Sequence, residues 1–251
     1  MVSSGPDLPI GGGLFGRRSV PPLVSVVIPA LNEERTLGVV LHSVHDVFRG
    51  MNLVYEIVVV DDGSSDGTAK VAAEGGAVLV CHGGNCGKGE ALKTGFSKAK
   101  GDVIVTMDAD GSHLAEDIPS LVEPFWMFDD LDVVIGTRFN DGSNRDSTSR
   151  LHLIGNNILN LTIRFLTGRR VSDSQCGFRA FRRRVLGKLV IDSSGFGVEG
   201  EMMVKMLLDG VSIREVPIRC LPRREGVSRI RTFRDGFAIF KTIVTAAYNS
   251  H

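Results

Sequence analysis

Residues 103–110 read Val103-Ile-Val-Thr-Met-Asp-Ala-Asp110, an apolar run that ends in two carboxylates. A run of β-branched residues predicts a buried strand, so Asp108 and Asp110 leave its carboxyl end on the same side of the chain. Ligands bind at that edge of an open parallel sheet. Two acids one residue apart repel each other unless a cation lies between them, and their oxygens suit Mg²⁺ or Mn²⁺. We therefore predict a strand that ends in a metal site, although a solvated Asp-rich turn fits the same residues.

Two further apolar runs end in polar residues. The run at 56–60 leads into Asp61-Asp-Gly-Ser-Ser-Asp-Gly-Thr68, and the run at 24–28 leads into Pro29-Ala-Leu-Asn-Glu33. Carboxylates at a strand end can accept hydrogen bonds from ribose hydroxyls or from a base N–H. Since the carboxyl ends of parallel strands meet at one edge of a sheet, the three segments together predict a binding site.

The charge of the chain limits its partners. The 251 residues have a formal net charge of zero, so no overall field attracts nucleic acid, and we expect no nucleic-acid partner. Positive charge is nevertheless concentrated, because residues 164–184 contain seven arginines against one acid and residues 214–234 contain seven against two acids. Each cluster can bind phosphate or form a solvated basic face.

The cysteines and the N-terminal segment indicate the compartment. The four cysteines form no CxxC pair and no zinc spacing, which predicts reduced thiols. Residues 1–22 are rich in Gly, Ser and Pro without an apolar core, so we expect a disordered tail and no secretory signal. No apolar run is long enough to span a bilayer. We expect a cytoplasmic protein that is soluble or peripheral at the cytoplasmic face of a membrane.

From residue 24 onward, apolar runs alternate with helical patterns. Strands are predicted near 24–28, 56–60, 77–80, 103–107, 132–136 and 212–219, and helices near 33–49, 66–75, 88–100, 116–127, 151–167, 179–190 and 198–209. This alternation predicts an α/β domain over 23–231 with a mostly parallel central sheet flanked by helices. The polar stretch from Asn140 to Arg150 is predicted to be a mobile loop.

The last segment, 232–251, is predicted to be an amphipathic helix. Apolar residues recur in it at helical spacing, namely Phe233, Phe237, Phe240 and Ile243. Such a stripe usually packs on a core, but it can also rest on a bilayer. Packing on the core is the favoured interpretation, and the arginines that precede the segment keep the second one open.

Gly83-Gly-Asn-Cys-Gly-Lys-Gly89 is similar to a phosphate-binding loop but fails the known patterns. A P-loop needs Gly where His82 stands and Ser or Thr where Gly89 stands, and the glycines also miss the dinucleotide fingerprint. A glycine-rich turn that leads into a helix remains, with Lys88 able to reach an anion.

The stretch Asp108-Ala-Asp-Gly-Ser112 also fits a phosphatase of the haloacid dehalogenase type, in which an Asp after a strand attacks phosphorus. That family usually carries this motif on its first strand. Here the motif follows the fourth predicted strand, and the pair Asp61-Asp62 lies upstream of it, which disfavours the phosphatase.

Six ordered motifs resemble those of the family 2 glycosyltransferases, which have the GT-A fold. They are Pro29-Ala-Leu-Asn-Glu33, Asp61-Asp-Gly-Ser-Ser-Asp-Gly-Thr68, Gly87-Lys-Gly89, Asp108-Ala-Asp-Gly-Ser-His113, Gly136-Thr-Arg138 and Asp173-Ser-Gln-Cys-Gly-Phe-Arg179. Within that family the chain most resembles dolichyl-phosphate (polyprenyl-phosphate) mannose and glucose synthases. The resemblance implies an inverting, metal-dependent hexosyltransferase that makes a lipid-linked sugar donor for glycosylation.

The same resemblance implies a set of ligands. The donor is a nucleotide sugar of the GDP-mannose or UDP-glucose type, and the acceptor is a polyprenyl (dolichyl) phosphate in the membrane. The implied cofactor is Mg²⁺ or Mn²⁺. A membrane-anchoring subunit is a further candidate partner.

Carried over residue by residue, the resemblance gives roles to the motif positions. It implies that Asp110 and Arg138 take part in catalysis. It implies metal ligands at Asp108, Asp110 and Ser112, and contacts to the acceptor phosphate from Arg138 and Arg179. The implied nucleotide-sugar-binding residues are Pro29, Leu31, Glu33, Val60, Asp62, Lys88, Asp108, Ala109, Asp110, Arg223 and Arg229.

Three positions depart from the pattern of the mannose synthases. Leu31 stands where those enzymes usually have Tyr, Ser112 stands where some members have a metal-binding Gln, and Arg229 replaces a common Lys. The stretch Gln175-Cys-Gly-Phe178 is closer to the glucose synthases. The resemblance therefore leaves the sugar undetermined.

The chemistry of transfer agrees with these residue types. When a nucleoside diphosphate leaves an anomeric carbon, its charge must be neutralised, which a metal ion and arginines provide. A hydroxyl acceptor also needs a general base, whereas a phosphate acceptor is already ionised and needs arginines that bind it bidentately. A family 2 transferase acting on a sugar or protein hydroxyl and a non-catalytic nucleotide-binding module remain alternatives.

Overall fold

A computed structural model of the chain describes residues 23–138, 150–221 and 232–249. Seven strands in this part of the chain form one sheet. They are β1 (Val24–Ala30), β2 (Tyr55–Asp61), β3 (Val78–Cys81), β4 (Val103–Thr106), β5 (Val133–Thr137), β6 (Arg179–Arg182) and β7 (Ile213–Pro217). The strand order is β3-β2-β1-β4-β6-β5-β7, and β6 runs antiparallel to β4 and β5 while the other pairs are parallel.

Helices pack on both faces of the sheet. In chain order they are α1 (Leu37–Met51), α2 (Thr68–Glu74), α3 (Lys88–Lys98), α4 (Ile118–Val122), α5 (Pro124–Met127), α6 (Arg150–Thr167), α7 (Arg183–Leu186), α8 (Val198–Leu208) and α9 (Thr232–Asn249), with a 3₁₀ turn at Ala115–Asp117. Alternate residues of β1 belong to two different cores, because Val26 packs with residues of α1 while Val27 packs with residues of α3 and α8. A strand buried on both faces reads as a continuous apolar run, which is why the sequence identified these strands.

The helix predicted over 179–190 is wrong. Residues 179–182 form β6, which is inserted between β4 and β5, and α7 follows it. Ala180 and Phe181 are both fully buried and point into the two opposite cores, as neighbouring residues of a strand do. The strand is short and is specified by its two partners, so its own four residues carry little signal.

The arginines at the end of β6 and the start of α7 help to hold this strand in place. Arg182 donates hydrogen bonds to the carbonyl oxygens of Leu131 and Phe125, and Arg183 donates to those of Gly101 and Ala99. These side chains therefore link the end of β6 and the start of α7 to α5 and to the segments that precede β4 and β5. These two of the seven arginines in the predicted basic cluster at 164–184 are thus structural, since they satisfy buried backbone carbonyls.

Two predicted helices begin or break differently. The first helix starts at Leu37 after Asn32, whose backbone has a positive φ of 54°, so the chain turns before the helix. The helix predicted over 116–127 is divided into the 3₁₀ turn, α4 and α5. Pro119 and Pro124 each lie in the first turn of a new helix, where a missing N–H costs nothing.

The C-terminal helix is present as α9, but its predicted stripe is partly wrong. Ile243 is fully buried against α8 and belongs to the core, whereas Phe237 is 71% exposed. The side chain of Phe233 lies outside the described residues, as do the predicted tail at 1–22 and the predicted loop at 140–149. Among the described helices, none is both long and apolar enough to cross a membrane.

Candidate functional site

The segments that follow β1 and β2 meet at the carboxyl edge of the sheet. The amide of Glu33 donates to Thr68 Oγ1 at 2.8 Å, and the amide of Asn32 donates to Ser64 Oγ at 2.8 Å. The Glu33 carboxylate accepts a hydrogen bond from Thr36 Oγ1 at 3.0 Å at the start of α1. The structure thus brings together the two predicted nucleoside-binding segments, with Glu33 at their junction.

Asp62 holds the glycine-rich turn in place. Its carboxylate is 5% exposed, and it accepts hydrogen bonds from the amides of Cys86 at 2.9 Å and Gly87 at 2.8 Å. The ring of His82 contributes a third contact at 2.7 Å and continues to Thr94 Oγ1 at 2.9 Å. Gly87 has a φ of 98°, which side chains disfavour, so this turn needs both a glycine and an external carboxylate.

Lys88 opens α3 and makes an ion pair with two acids. Its ammonium lies 2.7 Å from Asp108 Oδ1 and 2.6 Å from Glu199 Oε1. Burial acts to lower the pKa of Lys88, but the two carboxylates raise it above its ordinary value. A Cβ at Gly177 would lie 3.2 Å from the ammonium and 3.3 Å from both oxygens of Asp108, so glycine leaves room for the pair. A lysine was predicted here, but its partner Glu199 was not.

A buried histidine, His113, lies beside the turn that contains Asp108 and Asp110. The ring of His113 is 3% exposed, stacks on Phe178 at 5.0 Å and lies 3.9 Å from Asp108 Oδ2. Burial lowers the pKa of His113 although Asp108 and Asp110 act in the opposite direction, so the ring is neutral near neutral pH. Asp110 Oδ1 accepts a hydrogen bond from the amide of Ser112 at 2.9 Å, which orients its carboxylate.

These donors fit a hard divalent cation. Asp108 and Asp110 are one residue apart in the turn that follows β4. Burial acts to raise the pKa of Asp108, but Lys88, His113 and Arg138 lower it below its ordinary value, so the group is ionised. Carboxylate and hydroxyl oxygens are the ligands that Mg²⁺ and Mn²⁺ prefer.

Arg138 follows β5 and is fixed by a buried acid. Its Nε lies 2.6 Å from Asp173 Oδ2 and its Nη2 lies 2.8 Å from Asp173 Oδ1, a bidentate arrangement. Asp173 is fully buried and also accepts a hydrogen bond from Asn156 Nδ2 of α6 at 3.3 Å. Burial acts to lower the pKa of Arg138, but Asp173 raises it above its ordinary value. The guanidinium is therefore a rigid positive charge beside Asp108.

Arg179 does not fit the predicted contact to an acceptor phosphate. It is 1% exposed, and its guanidinium donates to the carbonyl oxygens of Cys176 at 2.7 Å, Ser174 at 2.7 Å and Glu199 at 3.0 Å. These three carbonyls belong to the turn before β6 and to the start of α8. Arg179 therefore stabilises the backbone that carries Asp173 and Glu199, and this prediction is corrected.

The other predicted ligand-binding residues have different settings. Pro29 and Leu31 are partly buried at the sheet edge, whereas the side chain of Val60 is fully buried in the core. Ala109 is 3% exposed between the two acids. Arg223 and Arg229 lie outside the described residues.

Glu201 was not given a role from the sequence, and the structure shows what it does. Its carboxylate accepts hydrogen bonds from the amides of Asp192 at 2.7 Å and Ser193 at 2.8 Å, and Lys205 lies 2.8 Å away. The carbonyl of Ser194 in turn accepts a hydrogen bond from the amide of Gly89 at 2.7 Å. Glu201 thus stabilises the loop at 192–194, which contacts the first turn of α3, where Lys88 lies. The spacing of Glu201 and Lys205 was the available signal for an ion pair on α8.

The comparisons with known proteins agree with this geometry. The family described as Glycosyl transferase family 2 matches residues 25–190. The chain is 33% identical to polyprenol monophosphomannose synthase of Mycolicibacterium smegmatis, over 86% of this chain and 84% of the relative. It is 32% identical to glycosyltransferase AglJ of Haloferax volcanii, over 88% of this chain and 70% of the relative.

A solved structure confirms the fold. Glucosyl-3-phosphoglycerate synthase of Mycobacterium tuberculosis, in complex with Mn²⁺, UDP-glucose and phosphoglyceric acid, is 26% identical and has a TM-score of 0.70. The alignment covers 91% of this chain and 79% of that enzyme. The predicted α/β, GT-A-type architecture is confirmed, and the phosphatase alternative is excluded. The order of the motifs and the position of their residues at the carboxyl edge of the sheet agree with these relatives. The chain belongs to glycosyl transferase family 2.

Proposed function

We propose that this chain is an inverting hexosyltransferase that moves a sugar from a nucleotide-sugar donor to a polyprenyl phosphate. The observation that carries the proposal is the meeting of opposite charges at one edge of the sheet. Asp108 follows β4 and Arg138 follows β5, and these two strands lie on either side of β6 and end at the same edge of the sheet, so a cation-binding turn and a rigid arginine share one site. A phosphate acceptor is already anionic and needs such an arginine more than it needs a base. The polyprenol monophosphomannose synthase among the relatives supports this acceptor class.

The proposed roles agree with the settings of the described residues, and Arg223 and Arg229 keep the role that the resemblance implies. Asp108 and Asp110, with Ser112, hold Mg²⁺ or Mn²⁺, which neutralises the charge of the leaving diphosphate when bound. Lys88, Arg223 and Arg229 bind the donor diphosphate. The nucleoside is assigned to residues at the ends of β1 and β2 and directly after them, namely Pro29, Leu31, Glu33, Val60 and Asp62, and Ala109 after β4 is assigned to the diphosphate. Arg138 binds the acceptor phosphate, and Asp173 keeps its guanidinium oriented.

A hydroxyl acceptor is the second candidate. The solved glucosyl-3-phosphoglycerate synthase was crystallised with phosphoglyceric acid, a small soluble molecule. In this chain Glu199 is a buried carboxylate at the site, but it is paired with the Lys88 ammonium at 2.6 Å. A carboxylate held in that way is a poor base. A hydroxyl acceptor would therefore require Lys88 to leave Glu199 first, whereas a phosphate acceptor needs no base at all.

The deciding experiment is a transfer assay with two acceptor classes. The purified protein is incubated with a panel of GDP- and UDP-sugars, Mg²⁺ or Mn²⁺, and either short polyprenyl phosphates or soluble sugars and phosphoglycerate. Products are identified by mass spectrometry. Product formation on polyprenyl phosphate alone is expected. Transfer to a soluble hydroxyl without lipid would establish the second candidate.

Asp62→Ala is expected to weaken binding of the nucleoside diphosphate by about 1–3 kcal/mol, because the amides of Cys86 and Gly87 lose a buried acceptor. The turn that carries Lys88 then loses its fixed conformation. Isothermal titration with GDP and UDP measures the effect, and Glu74→Ala on exposed α2 is the matched control. An unchanged dissociation constant would mean that Asp62 has a structural role alone.

We further propose that the protein acts at a membrane surface, where a polyprenyl phosphate is anchored. Outward residues of α6 form an apolar face that is exposed over its length: Ile154, Ile158, Leu161 and Phe165, the last 89% exposed. The opposite side of α6 carries Asn156, which contacts Asp173 behind Arg138. One helix therefore links the outer apolar face with the site.

The charge around this face suits an anionic bilayer. Residues 150–172 contain four arginines and no acid, and Arg164, Arg169 and Arg170 are exposed beside Phe165. Each basic residue near an anionic leaflet is worth about 1 kcal/mol, and apolar side chains at the headgroup boundary add to it. Weak, salt-sensitive binding is expected.

The membrane proposal is tested by co-sedimentation with anionic and neutral liposomes at low and high salt. The variant Leu161→Glu/Phe165→Glu is expected to lose binding to anionic liposomes, and Phe237→Glu/Phe240→Glu on α9 tests the second exposed stripe. Val78→Glu, on the half-exposed edge strand β3, is the control for an added charge. If folded wild-type protein ignores anionic liposomes at low salt, the contact belongs to a membrane-anchoring subunit.

A further inference from the structure

The Lys88 ammonium is in contact with an oxygen of Asp108, one of the acids that we assign to the metal ion. It bridges Asp108 Oδ1 and Glu199 Oε1 at 2.7 and 2.6 Å, and the three side chains are 19%, 29% and 7% exposed. Both carboxylates are therefore held on one positive charge in a setting mostly shielded from water. Glu199, the most buried member, lines one cavity together with Lys88, Asp108 and Pro29. The role of this acid is the open question.

We propose that Lys88 is a resident counter-ion that closes the Asp108 metal site, and that a divalent ion binds tightly only together with the donor diphosphate, onto which Lys88 moves. The inference rests on the proposed function for the nature of the donor. It assigns Glu199 as a positioning residue, which keeps the ammonium beside Asp108 while no donor is bound.

The charges around Lys88 explain why a metal ion alone binds weakly. Two acids, Asp108 and Glu199, are balanced by two buried cations, Lys88 and Arg179, of which Arg179 acts electrostatically on Glu199. A divalent ion that enters this balanced site meets an ammonium in contact with its own ligand. Like charges at such short range repel strongly when water is mostly excluded. A diphosphate brings negative charge for both the divalent ion and the Lys88 ammonium, so the metal ion and the nucleotide stabilise each other.

The position of Glu199 on α8 suits a permanent anion. It is the second residue of this eleven-residue helix, where the helix dipole favours negative charge. Its own carbonyl accepts a hydrogen bond from Arg179 at 3.0 Å, which fixes the backbone that presents the carboxylate. When Lys88 turns toward a diphosphate, these interactions keep the Glu199 carboxylate in place. Glu199 can therefore hold the Lys88 ammonium while no donor is bound and release it to the diphosphate.

The inference is tested by Mn²⁺ binding, measured by electron paramagnetic resonance without any turnover. Lys88→Met removes the ammonium and leaves two released carboxylates, so it is expected to bind Mn²⁺ alone at least about tenfold more tightly than wild type. Lys88→Met/Glu199→Gln releases Asp108 only and is expected to recover part of that gain. Lys93→Met, from an exposed pair with Glu90 on the same helix, is expected to match wild type.

Addition of UDP or GDP provides the second readout. In wild type either diphosphate is expected to tighten Mn²⁺ binding about tenfold or more, and in Lys88→Met this enhancement is expected to shrink, since the coupling is reciprocal. Lys88→Gln replaces Lys88→Met if circular dichroism shows that the latter does not fold. Equal Mn²⁺ affinities of wild type and the neutral variants would overturn the inference. Failure of sugar transfer with the predicted Mn²⁺ affinities would instead overturn the proposed function alone.

Discussion

Asp110→Ala is expected to lower sugar transfer by about a thousandfold or more while the protein stays folded. A metal-borne charge contact to the leaving diphosphate is worth several kcal/mol of transition-state stabilisation, and about 4 kcal/mol corresponds to that factor. Asp110 is partly exposed in the turn after β4, and it accepts a hydrogen bond from the amide of Ser112, a residue that is also partly exposed. The substitution therefore removes a ligand without opening the core.

The measurement compares turnover of the variant and wild type with Mn²⁺ or Mg²⁺ and with EDTA. Asp209→Asn, which changes an exposed acid after α8, is the matched control and is expected to retain wild-type activity. Wild-type activity of Asp110→Ala, or undiminished activity in EDTA, would remove the metal ion from the proposed mechanism.

The sequence located this part of the site because its information is local. β1, β2 and β4 are buried on both faces, so each reads as an apolar run, and the polar residues that end each run must lie at the carboxyl edge. Asp108 and Asp62 could be predicted in this way before any contact was known. Their exact partners could not, because Asp62 meets Gly87 across 25 positions of sequence.

The features that the sequence missed are set by distant parts of the chain. β6 is specified by its pairing with β4 and β5, and the neighbouring arginines resembled the polar face of a helix. The contact between Lys88 and Glu199 joins the starts of α3 and α8, and no local pattern relates those two helices. Arg179 was taken for a phosphate ligand because a buried arginine and an exposed one look the same in a sequence.

Asp173→Ala is expected to be the most destabilising substitution at the site. The acid is fully buried, and its removal leaves the Arg138 guanidinium, 23% exposed, without its bidentate partner. Removing one partner of a buried ion pair costs about 3–5 kcal/mol of the free energy of unfolding. Urea unfolding measures this loss, and Asp192→Ala, which changes an exposed acid paired with Lys205, is the control.

Two further variants separate stability from catalysis at the same pair. Arg138→Lys keeps the positive charge but loses the planar guanidinium, so transfer is expected to fall sharply while unfolding changes little. Arg138→Met/Asp173→Leu removes both charges and is expected to be more stable than Asp173→Ala. Without the guanidinium, this double variant is expected to be inactive in sugar transfer. Wild-type turnover of Arg138→Lys would show that the acceptor phosphate needs positive charge without a fixed geometry. Since Asp173 aligns the guanidinium through Nε and Nη2, we expect the geometry to matter.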